Sequence, residues 1–252
     1  MFSSSLGKKY LMALSGLVLV GFVFVHMAGN LQVFAGQEQI NSYAHSLQSL
    51  PWFVLWGSRL ILLFAILIHA WTAYSLIMEN KAARPNSNEV EITKRAGWAS
   101  LRMGLTGSII LAFVVFHLLH FTIRLIYPEY SEMMTTVGSS DESEIHDAFS
   151  MIISGFKNDF VSLFYIIAMF LLCRHLAHGF SSVFQSLGVR SESWRKKLDL
   201  LSAAYAWIIF AGFSIVPLSV MAQKYQIFES YDSTFFSPTK MEQTPKHSKN
   251  ES

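Results

Sequence analysis

The segment from Tyr10 to Gln37, YLMALSGLVLVGFVFVHMAGNLQVFAGQ, contains no Asp, Glu, Lys or Arg. A helix rises 1.5 Å per residue, so about 20 apolar residues cross the hydrocarbon core of a bilayer. The segment therefore predicts a membrane-spanning helix. Lys8 and Lys9 precede it as in a secretory signal, but the apolar run is too long and lacks a clear small-residue cleavage site. We interpret it as a retained span.

Four further stretches are similarly long and apolar and hold at most isolated charged residues such as Arg59 and Arg174, in a chain that is 52% hydrophobic and only 14% charged. Because the stretches are continuous and not alternating, they favour helices over a membrane β-barrel. We predict an all-α membrane protein, a bundle of five transmembrane helices within residues 1–228. A tail at 229–252, rich in Ser, Thr, Pro, Lys and Glu, is predicted to be disordered. The predicted spans are 11–35, 51–78, 101–126, 160–187 and 198–223.

Lys and Arg are distributed unequally between the two sides of the predicted bundle. Lys8 and Lys9, five residues from Lys81 to Arg102 where the second span connects to the third, and four between the fourth and fifth spans lie on one side. The 36–50 loop on the other side has neither residue type, and the 128–159 loop is mainly acidic. Cytoplasmic loops carry the excess of Lys and Arg. The pattern predicts a cytoplasmic amino terminus and an external carboxy terminus.

Histidine is the residue that carries chemistry in the spans. An ionisable side chain inside the membrane is a candidate functional residue, although a hydrogen bond between helices is the simpler explanation for any single one. One histidine in each of four consecutive spans weakens that explanation. Six of the nine histidines lie in predicted spans: His26, His69, His117, His120, His175 and His178.

Helical rise sorts four of these histidines into two levels. His26 and His117 each lie twelve residues before the first acidic residue that follows, about 18 Å from the outer side. His69 and His175 lie roughly 27 and 24 Å from that side. Two levels with two imidazoles each suit two six-coordinate haems. No Cys-x-x-Cys-His motif is present, which makes the haems type b. Zinc or copper is the alternative, although almost no carboxylate or thiolate accompanies the histidines.

Five motifs resemble those of one family, the single-polypeptide cytochrome b membrane anchor of succinate:quinone oxidoreductase and quinol:fumarate reductase (complex II). The resemblance covers the whole transmembrane length. It implies two haems b and electron transfer between a partner iron–sulfur subunit and a membrane quinone, usually menaquinone. It also implies a FAD-bearing flavoprotein subunit, docked with the iron–sulfur subunit on the cytoplasmic face. The motifs are KKYLMALSG (8–16), FVFVHMAGNLQVF (22–34), ILIHAW (66–71), FVVFHLLHF (113–121) and HLAHGFSSVFQSLG (175–188).

The resemblance also implies which histidines bind iron: His26 with His117 in the outer haem, and His69 with His175 in the inner one. Depth alone does not choose between His175 and His178 in the fourth span. The family spacing of His-x-x-x-Gly with a second Gly nine residues later favours His175, with Gly179 and Gly188. His120 and His178 stay as alternatives, or as hydrogen-bond donors beside the propionates.

Arginines in the spans need anionic partners, because a guanidinium near the bilayer centre costs roughly 2.5–3.5 kcal/mol. Haem propionates would supply them. Arg124 lies two turns from His117 on the same face and is the first candidate; Arg59 is the second, while Arg174 points away from His175. Snorkelling to the interface is the competing interpretation for each.

The quinone site is expected near the outer haem. In some family members that reduce fumarate, an acidic residue takes part in proton movement across the membrane, and this chain has Cys173 at that position. The resemblance therefore implies neither direction, succinate oxidation nor fumarate reduction. As its only cysteine, Cys173 cannot hold an iron–sulfur cluster, which must come from a partner. Polar residues that could contact the quinone are Asn30, Gln32, Glu38, Tyr43, His45 and Gln48.

Two other functions fit parts of the sequence. A cytochrome b subunit of a hydrogenase or formate dehydrogenase would share the histidines and differ in its soluble partners. A transporter with a histidine proton relay would call for carboxylates at mid-membrane depth, and the predicted spans have none. No pattern of basic and aromatic residues suggests nucleic-acid binding.

Overall fold

A computed structural model describes residues 4–83, 91–136, 144–189 and 191–227, with the backbone alone for 91–102. The polar tail predicted at 229–252 lies outside the described residues. Within them the chain forms seven α-helices and one short hairpin. The helices are α1 (Ser5–Asn30), α2 (Gln37–Gln48), α3 (Trp52–Ala82), α4 (Glu91–His117), α5 (Ala148–Phe156), α6 (Asp159–Ser186) and α7 (Glu192–Lys224). The hairpin pairs β1 (Met134–Thr136) antiparallel with β2 (Glu144–His146).

Five of the described helices, α1, α3, α4, α6 and α7, are long and apolar enough to cross a membrane. This confirms the prediction of five apolar spans and of a mainly helical chain. Large apolar side chains are exposed around the bundle, including Trp52, Phe160 and Leu200 at 76%, 86% and 71%. Apolar surface on this scale suits contact with lipid, and the helices satisfy their own backbone hydrogen bonds there.

Four of the long helices enclose a common core. Contacts run around a ring from α1 to α3, from α3 to α4, from α4 to α6 and from α6 back to α1. Helix α7 packs outside this ring against α6 and α1. The ring therefore has two diagonals, one joining α1 with α4 and the other joining α3 with α6.

Helix α4 ends in an unusual way. Its α-helical hydrogen bonds stop at His117, and a π-helical turn continues over Leu118–Thr122. Arg124 then takes a left-handed backbone, with φ 59°. A residue with a side chain adopts this conformation uncommonly. The third apolar helix thus ends at Thr122, four residues before the boundary expected at 126.

A small folded layer, which we call the cap, covers one end of the bundle. It consists of α2, the hairpin and α5, which contact one another. Asp147 joins its parts, accepting hydrogen bonds from Gln37 and Asn41 at 2.9 Å each and from the Ser150 hydroxyl at 2.6 Å. Asn41 is fully buried and also accepts from the Phe149 backbone N–H at 2.9 Å. Buried polar groups satisfied in this way fix the position of α2 against α5.

At the opposite end of the bundle, a hydrogen bond and an ion pair join α1 to α3. Glu79, near the end of α3, accepts from the Ser5 hydroxyl at 2.8 Å and forms an ion pair with Lys8. Ser4 begins α1 by accepting from the Gly7 backbone N–H at 3.1 Å. These contacts fix the relative positions of α1 and α3, which bear His26 and His69.

Candidate functional site

The first histidine pair crosses the diagonal between α1 and α4 on the side of the cap. The ring centres of His26 and His117 lie 5.8 Å apart, with the ring planes at 74°. Phe22 stacks on His26 at 5.3 Å, and Phe213 of α7 lies 5.7 Å from it. Tyr165 of α6 approaches His117 from the other side, its hydroxyl 3.3 Å from Nδ1.

The second pair crosses the diagonal between α3 and α6. The ring centres of His69 and His175 lie 6.3 Å apart, with planes at 69°. Nδ1 of His69 lies 3.3 Å from the backbone oxygen of Met12. Nδ1 of His175 lies 3.3 Å from the hydroxyl of Thr106. The two pairs predicted from the sequence are thus the two pairs that the fold brings together; their role as iron ligands stays a prediction.

Three helices give the same separation between the two levels. On α1, Gly16 faces His69, and His26 follows ten residues later. On α4, Gly107 faces His175, and His117 follows after ten residues. On α6, ten residues separate Tyr165 from His175. Ten residues of helix rise by about 15 Å, so the pairs are stacked along the bundle.

The ring separations fit two imidazoles that share one metal. With metal–nitrogen bonds of about 2 Å, and about 1.1 Å from a ligating nitrogen to its ring centre, opposite imidazoles hold their centres about 6.2 Å apart. The observed 5.8 and 6.3 Å bracket that value. Within the described residues, no group of three or more His, Cys, Asp or Glu side chains converges as a metal site. The two ring separations are compatible with a pair of imidazoles that would bind one metal from opposite sides, and this ligation stays a prediction.

Hydrogen bonds at Nδ1 orient three of the four rings. The Met12 carbonyl can only accept, so the neighbouring nitrogen of His69 carries the proton and Nε2 is the basic nitrogen. Thr106 donates its hydroxyl proton to the Met103 carbonyl at 3.2 Å, which leaves its oxygen to accept from His175. A partner at the second nitrogen is what fixes the tautomer of a ligating histidine.

Two glycines leave room for the inner pair. A Cβ atom on Gly16 would lie 3.3 Å from Cε1 of His69, and one on Gly107 would lie 3.4 Å from Cε1 of His175. These distances are shorter than the usual carbon contact of about 3.5–4.0 Å. The absence of a side chain at these two positions lets the imidazoles pack against the backbones of α1 and α4.

The two alternative ligands lie elsewhere. His178 is exposed, whereas His175, one turn earlier, faces His69. His120 lies in the π-helical turn, is fully buried, and stacks on Phe121 with ring centres 4.0 Å apart. Its Nδ1 lies 2.9 Å from the Tyr165 hydroxyl, and its Nε2 is buried without a hydrogen-bond partner. Neither alternative faces a second histidine of another span as closely as the predicted ligands do.

The predicted arginines differ in their surroundings. Nε of Arg124 is buried without a hydrogen-bond partner, and burial lowers the pKa of this guanidinium. Burial and the nearby Arg124 charge also lower the pKa of His146, in β2 of the cap. Arg59 is exposed and lies over the ring of Trp56, 5.1 Å from its centre, as a snorkelling residue would. Arg174 is exposed as well.

The polar residues predicted near the quinone do not converge on one pocket. Tyr43 packs against Gly29, where a Cβ atom would lie 2.8 Å from its hydroxyl, and Gln32 accepts from Gln39 at 2.9 Å. Glu38, His45 and Gln48 lie on the exposed face of α2.

A cleft of about 630 Å³ opens instead between the turn before α6 and the end of α7. Tyr130 lines it, and burial, with Tyr127 and Glu129 close by, raises the pKa of this phenol to about 12. Tyr130 is therefore a neutral hydroxyl at physiological pH. Further lining residues are Tyr127, Gly155, Lys157, Asp159 and Lys224.

Sequence reasoning missed the residues that contact the histidines from other helices. Tyr165 and Thr106 carry no distinctive pattern, and only helix packing shows that they reach His117 and His175. The ten-residue interval from Tyr165 to His175 equals the interval from Gly16 to His26 on α1. This repeated interval is the feature of the sequence that could have pointed to Tyr165. Comparison with protein-family models, with curated proteins and with solved structures gave no match for this chain.

Proposed function

We propose that this protein is the membrane-anchor cytochrome b subunit of a succinate:quinone oxidoreductase or quinol:fumarate reductase, with two haems b. The observation that carries the proposal is the stacking of two histidine pairs across the two diagonals of one four-helix ring. Four imidazoles from four helices, at two levels, suit two bis-histidine haems. The five sequence motifs point to the same family.

Different residues of the chain would bind the two haems. His26 and His117 would bind the outer iron, and His69 and His175 the inner iron, each through Nε2. When bound, each haem supplies a one-electron redox couple. Met12, Thr106 and Tyr165 orient the rings. The unpartnered Nε of Arg124 makes this side chain the better candidate for a propionate than the exposed Arg59.

The two levels give electrons a path along the bundle axis. One end bears Lys8 and the exposed basic residues Arg195 and Lys197, and we assign this end to the cytoplasm, where it would dock the iron–sulfur and flavoprotein subunits. The cap end would exchange electrons with menaquinone or another quinone. Of the two polar regions there, we take the open cleft lined by Tyr130 as the candidate site for the quinone head group. The protein would lie in a bacterial cytoplasmic membrane and catalyse no succinate oxidation alone.

The proposal is tested by isolating the protein from its own membranes in mild detergent. We expect a reduced-minus-oxidised spectrum of haem b, two haems per chain by extraction, and two copurifying soluble subunits, one with FAD and one with iron–sulfur clusters. Quinol analogues should reduce the haems of the chain isolated alone, without succinate turnover. Soluble subunits that oxidise hydrogen or formate would instead assign the chain to another respiratory cytochrome b. A chain without haem would refute the proposal.

A further inference from the structure

Tyr165 joins the outer histidine pair to a third, fully buried histidine. Its hydroxyl lies 3.3 Å from Nδ1 of His117 and 2.9 Å from Nδ1 of His120. Tyr165 itself is 6% exposed and His120 is 0% exposed. Three side chains thus form a short chain of hydrogen bonds in which two members, Tyr165 and His120, are buried.

The direction in which these hydrogen bonds donate follows from the number of protons that each group carries. If His117 binds iron through Nε2, its Nδ1 carries the proton and donates to the Tyr165 oxygen. The single hydroxyl proton of Tyr165 is then free to donate to Nδ1 of His120, over the shorter of the two distances. His120 consequently carries its own proton on Nε2, the buried atom that has no partner.

We propose that Tyr165, held by His120, is the positioning residue that orients His117 and sets the reduction potential of the outer haem. The inference rests on the proposed function. An acceptor at Nδ1 makes a ligating imidazole more basic and fixes the orientation of its ring. A more basic ligand stabilises the oxidised iron, so this hydrogen bond lowers the potential of the outer haem.

The inner pair is held by different groups. His69 is held by a backbone carbonyl, which no side-chain substitution removes, and His175 by Thr106. The two haems therefore depend on different side chains. Removing the hydroxyl of Tyr165 changes the outer haem alone, and removing that of Thr106 changes the inner haem alone.

The test is redox titration of both haems in the complete complex, with Tyr165→Phe as the variant. Removing the hydrogen-bond partner of a metal-ligating histidine typically costs about 10–100-fold in metal affinity or activity. We expect the outer haem of the variant to show about a tenfold larger ratio of reduced to oxidised haem at a given potential, an upward shift of about 59 mV for a one-electron couple. Low-temperature electron paramagnetic resonance should show a change in the outer haem only. The outer haem is assigned as the one lost in His26→Ala.

Tyr205→Phe is the matched control, because the hydroxyl of this partly buried tyrosine donates to the Val20 backbone oxygen at 2.6 Å and not to a histidine. It should leave both potentials unchanged. Thr106→Val should shift the inner haem only. His120→Leu, which removes the support of Tyr165, should shift the outer haem in the same direction as Tyr165→Phe but by less.

The outcomes separate this inference from the proposed function. An unchanged outer potential in both Tyr165→Phe and His120→Leu overturns the inference, as do equal shifts of both haems or general haem loss in the two variants. The proposed function survives each of these results if the unmodified chain holds two haems. Absence of haem from the unmodified chain overturns both.

Discussion

On the proposed function, replacing Gly16 by leucine should prevent binding of the inner haem and leave the outer haem bound. Gly16 is buried on the face of α1 that meets α3. A Cβ atom there would lie 3.3 Å from Cε1 and 3.4 Å from Nδ1 of His69, and 4.0 Å from Cγ2 of Val183. The imidazole is thus the first group that any side chain at this position meets.

The expected loss of the inner haem depends on the size of the side chain introduced at position 16. Alanine at position 16 needs the His69 ring to move by a few tenths of an ångström, because carbon contacts relax near 3.5–4.0 Å. Leucine extends about 2.5 Å beyond its Cβ and would displace the ring on the order of 1–2 Å. A ring and its bound metal can move together by a few tenths of an ångström, whereas a displacement of about 1–2 Å is far larger than the ~0.2 Å by which metal–ligand distances vary. Gly16→Ala should therefore keep both haems, and Gly16→Leu should keep one. Overpacking adds about 1–3 kcal/mol of destabilisation in addition.

The assay is the ratio of extracted haem to protein, with low-temperature difference spectra to identify the haem that remains. Gly21→Leu is the control on the same helix, since a Cβ atom at Gly21 meets nothing within 4 Å. It should keep both haems. Retention of both haems in Gly16→Leu would contradict the placement of His69, and loss of both would show that the effect is unfolding and not ligand displacement.

Three further predictions address the ligands, the cap and the orientation in the membrane. His175→Ala should remove the inner haem by the extracted-haem assay, whereas His178→Ala should keep both; the opposite result would move the ligand by one turn. Asn41→Ala removes both hydrogen bonds of a fully buried amide, and should lower the free energy of opening the cap by about 1–3 kcal/mol, measured by hydrogen exchange of α5; unchanged exchange would refute this. Cysteines placed at the exposed Ser46 and Ser193, in a background without the native cysteine, should react oppositely with an impermeant thiol reagent on intact cells. Equal labelling of the two positions would contradict the presence of three membrane spans, α3, α4 and α6, between them.

The sequence was sufficient for the helices because hydrocarbon imposes a simple rule. A segment without charge for 20 residues or more has one stable arrangement in lipid, so five apolar runs predict five long helices. The cap was less accessible. Helix α2 and the hairpin of β1 and β2 depend on the buried contacts of Asp147 and Asn41, which come from segments more than 100 residues apart.

The histidine levels were also encoded along the chain, because helical rise converts residue number into depth. Depth, however, does not fix the rotation of a helix about its axis. Packing around the four-helix ring decided that His175 faces His69 while His178 is exposed. The same packing placed Tyr165 between His117 and His120. The sequence by itself determined which segments are apolar, where charge is missing and how deep each histidine lies. Only the tertiary structure decided which side chains contact one another, because lateral contacts depend on helix rotation and on neighbours that are distant in the chain.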